Sequence, residues 1–163
     1  YALFFFPNSQ KALKNMRNSL KKDGKLGISV HGHPDRVPYF DSIFEAVTKF
    51  IPNYIPPGTP DFDRFGTKKQ LSNEIKKAGF SKIKVNDYDF PYSPGTFEQY
   101  WKNYLKYVAK PIKEKLDKLS KSQRKELKEM VRQNTKLYTK RDETIQFPWE
   151  VLILTAKYWD SKV

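Results

Sequence analysis

The segment His31-Gly32-His33-Pro34-Asp35 brings two imidazoles and a carboxylate into five residues. Histidine titrates near neutral pH, so either ring can accept a proton from a substrate or hand one on. His31 and His33 are therefore the candidate catalytic residues, as a proton acceptor or a substrate contact, against the plainer reading of a polar loop. The His-x-His-x-Asp spacing also suits metal ligation, but Arg36 stands where a further imidazole would be needed. With no third His and no Cys in the chain, no metal site is expected. A second constellation is aromatic. Phe97, Tyr100, Trp101, Tyr104 and Tyr107 recur at three- and four-residue spacing and so share a helix face. Such a face packs a core, lines an aromatic substrate cavity or stacks a base.

The elements that must position these groups are legible in outline. Residues 2–6, Ala-Leu-Phe-Phe-Phe, read as the end of a buried strand, broken by Pro7. Asn8 or Ser9 then caps a helix over 9–22, which Asp23-Gly24 closes, with glycine supplying the left-handed residue. Leu26 to Val30 reads as a strand, so His31 leaves a strand end and 31–38 is a loop. Residues 39–50 form an amphipathic helix with an aromatic face, and 51–66, with four prolines, are an irregular connection. Thr67 caps a helix over 68–78 that Gly79 ends, and 82–90 alternate as a strand. Pro91 to Gly95 reads as a turn, and Thr96 starts a helical region that runs to about 139. A final strand, 149–157, has an apolar centre that indicates burial on both sides.

The whole chain has 163 residues, 31 Lys+Arg against 18 Asp+Glu, and 15% aromatics. That many rings exclude a disordered tail, and the length suits one domain. The absence of Cys excludes disulfides, thiolate nucleophiles and iron–sulfur clusters, and sits comfortably with a cytoplasmic location. No apolar run of membrane-spanning length occurs, and the N-terminus lacks both a basic signal-peptide head and a Met, which suggests a fragment. The charge is uneven. Residues 97–141 hold 14 Lys/Arg and 5 Asp/Glu, a net of +9 out of +13. Such a region is a solvated helical surface or a face for a polyanion.

The order of these elements and the wording of their junctions resemble class I S-adenosylmethionine-dependent methyltransferases. Tyr1-Ala2-Leu3-Phe4-Phe5-Phe6-Pro7-Asn8, then Leu20-Lys21-Lys22-Asp23-Gly24-Lys25-Leu26 leading into Ile28-Ser29-Val30, is similar to the passage from that family's fourth strand to its fifth. The family's usual Pro and Gly in the turn are Lys22 and Asp23 here. Ile75-Lys76-Lys77-Ala78-Gly79-Phe80 looks like the helix end before strand six, and Trp149 to Lys157 like the antiparallel strand seven. The resemblance implies an α/β fold: the C-terminal portion of a Rossmann-like sheet, strands five, seven and six, with a helical insertion. The expected division is 1–95 with 142–163 as a partial core and 96–141 as a basic helical cap.

The resemblance further implies S-adenosylmethionine as cofactor, with Tyr1, Ala2, Leu3 and Phe4 beside it. It implies a substrate cap built from Tyr39, Phe97, Tyr100, Trp101 and Tyr104. No GxGxG occurs, so the resemblance implies that the glycine-rich turn and acidic residues of the family's cofactor site lie upstream and that the chain alone is expected to be inactive. The expected activity is methyl transfer to a small-molecule acceptor. An RNA- or polyanion-binding or non-catalytic interaction module built on the basic aromatic helices is the alternative, with nucleic acid the less favoured partner. An uncovered sheet edge in such a fragment would favour self-association.

Overall fold

The computed structural model describes residues 1–53 and 61–158. The expected irregular connection thus falls partly outside the described residues, with Pro56, Pro57 and Pro60. The fold is α/β. Three strands, β1 (Lys25–His31), β2 (Phe80–Thr96) and β3 (Thr144–Tyr158), form one sheet in the order β1-β3-β2. β3 runs antiparallel to β1, with Ile28 opposite Leu154 and Val30 opposite Leu152. This is the five-seven-six order, with an antiparallel last strand in the middle, that the sequence leads one to expect.

The chain divides into two compact units. The first takes the described residues of 1–37, 58–90 and 149–163, the second those of 38–57 and 91–148. In the first, α1 (Ser9–Asn18) is capped by the Asn8 side chain, which accepts from the Lys11 N–H at 2.8 Å. α3 (Lys68–Lys77) begins with a reciprocal capping box between Thr67 and Gln70 and ends at Gly79, whose φ of +86° suits a residue without a Cβ. The two helices are tied together: the Ser9 hydroxyl donates to Glu74 Oε1 at 2.5 Å, and Arg17 Nη1 donates to the Ala78 carbonyl at 3.0 Å. Leu13, Leu71 and Ile75 pack with Leu26, Val30, Leu152, Leu154 and Ala156 into one buried cluster. Period-two burial along β1 and β3 thus presents a single dry face to these helices.

Four expectations change here. Leu3–Phe5 form a 3-10 turn rather than the end of a strand: Phe5 N–H closes onto the Ala2 carbonyl at 3.0 Å, and Arg64 takes the carbonyls of Phe4 and Phe6. α1 stops at Asn18, and it is Asp23, at φ +61°, that takes the left-handed conformation. Gly24 serves instead for space, since a Cβ there would lie 2.7 Å from the Lys21 carbonyl oxygen. β3 is not buried on both sides: Ile153, on the opposite face, is 40% exposed. Pro91 to Gly95 lies within β2 rather than turning. β2 is an edge strand of this sheet, where a proline's missing N–H costs no ladder bond if it faces outward.

In the second unit, α2 (Pro38–Phe50) packs along α6 (Lys121–Thr135), with Asn134 Nδ2 donating to the Ser42 carbonyl at 3.1 Å. Capping boxes at Thr96 with Gln99 and at Ser120 with Gln123 start α4 (Phe97–Asn103) and α6. A π-turn, Tyr104–Val108, and a short 3-10 turn join α4 to α5 (Lys113–Asp117). The core is Tyr39, Ile43, Val47, Tyr100, Tyr104, Leu127, Val131 and Phe147. α2 belongs to this unit along with the basic helices.

Candidate functional site

β1 delivers His31 to its last position, 8% exposed. The ring lies 5.0 Å from that of Phe4, and Phe4 in turn is 4.6 Å from Phe5 and 5.9 Å from Phe62. His31 Nδ1 sits 2.9 Å from the Gly32 carbonyl oxygen, a group that only accepts. Nδ1 therefore carries the proton of the neutral ring, and Nε2 is its basic atom. Two residues on, His33 is half exposed and begins a 3-10 turn over Pro34–Arg36, with Nδ1 3.1 Å from Asp35 Oδ2.

The other side of this cluster comes from residues 61–66. Gly66 N–H closes a turn onto the Asp63 carbonyl at 2.9 Å, and the turn lies so close to the strand exit that a Cβ on Gly66 would stand 2.9 Å from His33 Cα. Burial pushes the Asp63 carboxyl pKa up, and the two nearby histidines, His31 and His33, pull against that rise. Arg64 fixes the aromatic turn: its Nη2 donates to the carbonyls of Phe4 at 3.1 Å and Phe6 at 2.5 Å. Arg36, downstream of His33, donates twice to Asp89 at 2.8 Å and lies 3.4 Å from Glu150, which pins the loop that follows β1. The result is an imidazole and a raised-pKa carboxyl beside an aromatic wall whose outer member, Phe5, is 61% exposed. Such a pair can take up and hold a proton from a polar N–H or O–H.

The four expected cofactor contacts are split. Tyr1 and Ala2 are exposed, while Leu3 and Phe4 belong to the buried cluster of the first unit. Phe4 also packs against His31. Phe62, Asp63 and Arg64 are not site candidates from the sequence alone. They lie in the connection that the sequence presents as irregular, and nothing in its wording ties them to His31. Among the described residues no group of three His, Asp or Glu side chains is placed to hold a metal ion.

The expected substrate-cap residues all fall in the second unit. Tyr39, Phe97, Tyr100 and Tyr104 are buried, and Trp101 is half-buried and stacked on Tyr104 at 5.7 Å. Tyr39, Tyr100 and Phe147 contact one another edge-on or tilted, with centroids 5.0–5.6 Å apart, and the Tyr100 hydroxyl donates to the Tyr39 carbonyl. Burial raises both phenols, Tyr39 to about 12. Nearby, a cleft of about 330 Å³ opens beside Phe97, over which Arg132 stacks at 4.1 Å while donating to Glu98 at 2.8 Å.

No protein-family model matches the sequence, and no curated protein sequence matches it significantly. Solved structures do. A protein from Bacillus halodurans C-125, described provisionally as a methyltransferase, superposes with a TM-score of 0.51 at 14% identity. The match covers 96% of this chain and 65% of that one, so the chain spans just under two thirds of its neighbour's length. The YcgJ protein of Bacillus subtilis gives 0.49 at 14% identity, over 99% of this chain and 62% of that one. The sheet order and the likeness to the Bacillus halodurans protein give the chain a methyltransferase-like fold.

Proposed function

We propose that this chain is the C-terminal, substrate-side part of an S-adenosylmethionine-dependent methyltransferase acting on a small-molecule acceptor. The observation that carries the reading is the β1-β3-β2 order with antiparallel β3, in a fold shared over nearly the whole chain with a protein provisionally called a methyltransferase. His31, Asp63 and the Phe4–Phe62 wall stand together at the end of β1, which is where open α/β sheets bind ligands.

The residues present fit one wall of the cofactor and not its whole site. Phe5 and Phe6, 61% and 38% exposed beside β1, offer apolar surface to an adenine or a thioether, and the exposed backbone at Tyr1 and Ala2 offers polar contacts. The glycine-rich turn and ribose-binding carboxylate have no counterpart in this sequence. When bound, the cofactor supplies an electrophilic methyl group on a sulfonium. The chain's own part is then alignment and proton management. The aromatic wall orients the acceptor and excludes water, Nε2 of His31 takes the acceptor's proton, and the Asp63 carboxyl beside it stabilises the resulting imidazolium. Tyr39, Phe97, Tyr100 and Tyr104 are spent on the core of the second unit.

The test is a calorimetric titration of S-adenosylhomocysteine into the full-length product of the gene. One-to-one binding in the micromolar range supports the reading. A folded protein that binds none overturns it.

A further inference from the structure

Between Glu98 and Glu114 the chain has four lysines, Lys102, Lys106, Lys110 and Lys113, and no carboxylate. This stretch covers most of α4, the π-turn and the start of α5, all in the second unit. Its inner side is dry, with Tyr100, Tyr104, Ala109 and Ile112 buried. Its outer side carries the four lysines, and among them two apolar residues face solvent: Leu105, 42% exposed, and Tyr107, 61% exposed. Lys106 Nζ lies 4.9 Å from the Tyr107 ring centroid. Among the described residues none of these four lysines forms an ion pair, whereas Lys128 and Arg132 on α6 both pair with Glu98. A solvated helix face accounts for the lysines but not for a leucine and a tyrosine set between them.

We propose that this face docks on an anionic lipid surface, with Leu105 and Tyr107 entering the headgroup boundary and the four lysines meeting lipid phosphates and carboxylates. Charge complementarity sets the sign of the partner. The apolar pair selects a bilayer over a nucleic acid. A single strand is held by several outward-facing rings on which bases stack, and here Tyr100 and Tyr104 are buried and Trp101 is stacked on Tyr104, so Tyr107 alone faces fully out. Leucine has no stacking role, but with tyrosine and a rim of lysines it is the side-chain set that anchors proteins at a membrane interface. The proposal is independent of the methyltransferase reading.

Co-sedimentation of the full-length gene product with vesicles tests it. Phosphatidylcholine vesicles with about 30 mol% phosphatidylserine are expected to carry the protein down, and pure phosphatidylcholine vesicles to leave it in solution. Each Lys→Gln change at 110 or 113 should weaken vesicle binding about fivefold, since a lysine near such a surface contributes about 1 kcal/mol. The exposed pair Leu105→Asn with Tyr107→Asn should weaken it tenfold or more, with an unchanged circular dichroism spectrum. Absence of phosphatidylserine-dependent sedimentation overturns the proposal. So does vesicle binding indifferent to both sets of changes. Binding of a single-stranded RNA oligonucleotide through the same lysines, without vesicle binding, would overturn it in favour of a nucleic-acid face.

Discussion

The two units use aromatic residues to opposite ends. In the second, Tyr39, Tyr100 and Phe147 close on one another and the Tyr100 hydroxyl is spent on the Tyr39 carbonyl. In the first, the rings of Phe4, Phe5 and Phe62 pack on one another with Phe4 against the His31 imidazole, Asp63 feels that imidazole's charge, and the ring of Phe5 is left open to solvent. Ring density therefore does not mark a site. What marks one is a titratable group that burial has perturbed and that the surrounding rings have not enclosed.

The largest effect that would break this contrast is on turnover. His31→Asn keeps the Nδ1-side hydrogen bond and removes the basic Nε2, so methyl transfer by the full-length gene product should fall 10²–10⁴-fold at saturating acceptor, about 3–5 kcal/mol in activation free energy. Affinity for S-adenosylhomocysteine should be unchanged. Equal losses in the His31→Asn and Tyr104→Phe variants would mean that the two ring clusters do not differ as argued.

Next in size is stability. Tyr100→Ala removes a fully buried ring from the second unit and should cost about 3–5 kcal/mol in urea unfolding. Tyr100→Phe keeps the ring and loses the hydroxyl's bond to Tyr39, for about 1 kcal/mol. If Tyr100→Phe instead abolished turnover at unchanged stability, Tyr100 would be a site residue and the packing account of the second unit would fail. Smaller again are the capping boxes. Thr96→Ala and Ser120→Ala should each cost about 1 kcal/mol, read as a shift in urea midpoint with no change in slope.

Legibility followed how local the deciding force was. The caps at Asn8, Thr67 and Thr96 are set by side chains within three residues of the backbone they satisfy, and the sequence points to Thr67 and Thr96 outright and to Asn8 as one of two. The strand order was legible through the wording of the junctions at 20–30 and 75–80. Residues 2–6 were misread because Arg64, some sixty positions away, holds that turn's carbonyls. Pro91 to Gly95 was misread because a Pro–Gly segment means a turn unless the strand is at a sheet edge, which pairing alone decides. The meeting of Asp63 with His31 and His33 had no signal, since nothing local couples a carboxylate to a histidine thirty residues upstream.

The finest test of the contrast is the sign of the pH dependence in each unit. In the first, burial holds the Asp63 carboxyl above its ordinary 3.8. The folded state then binds the proton more tightly than the unfolded chain. Asp63 contributes most below the ordinary aspartate value, and that contribution is lost as pH rises through the folded value. In the second unit, the hydrogen bonds from Lys128 and Arg132 hold Glu98 below its ordinary 4.5, so its contribution is present above that value and lost as pH falls through the lower, folded one. Unfolding of Asp63→Asn and Glu98→Gln across about pH 3–6 reads both. The stability difference between wild type and Asp63→Asn should shrink with rising pH, and that between wild type and Glu98→Gln should grow. Slopes of the same sign would show that Asp63 is an ordinary surface carboxylate. The group that distinguishes the first unit's aromatic cluster from the second's would then be His31 alone.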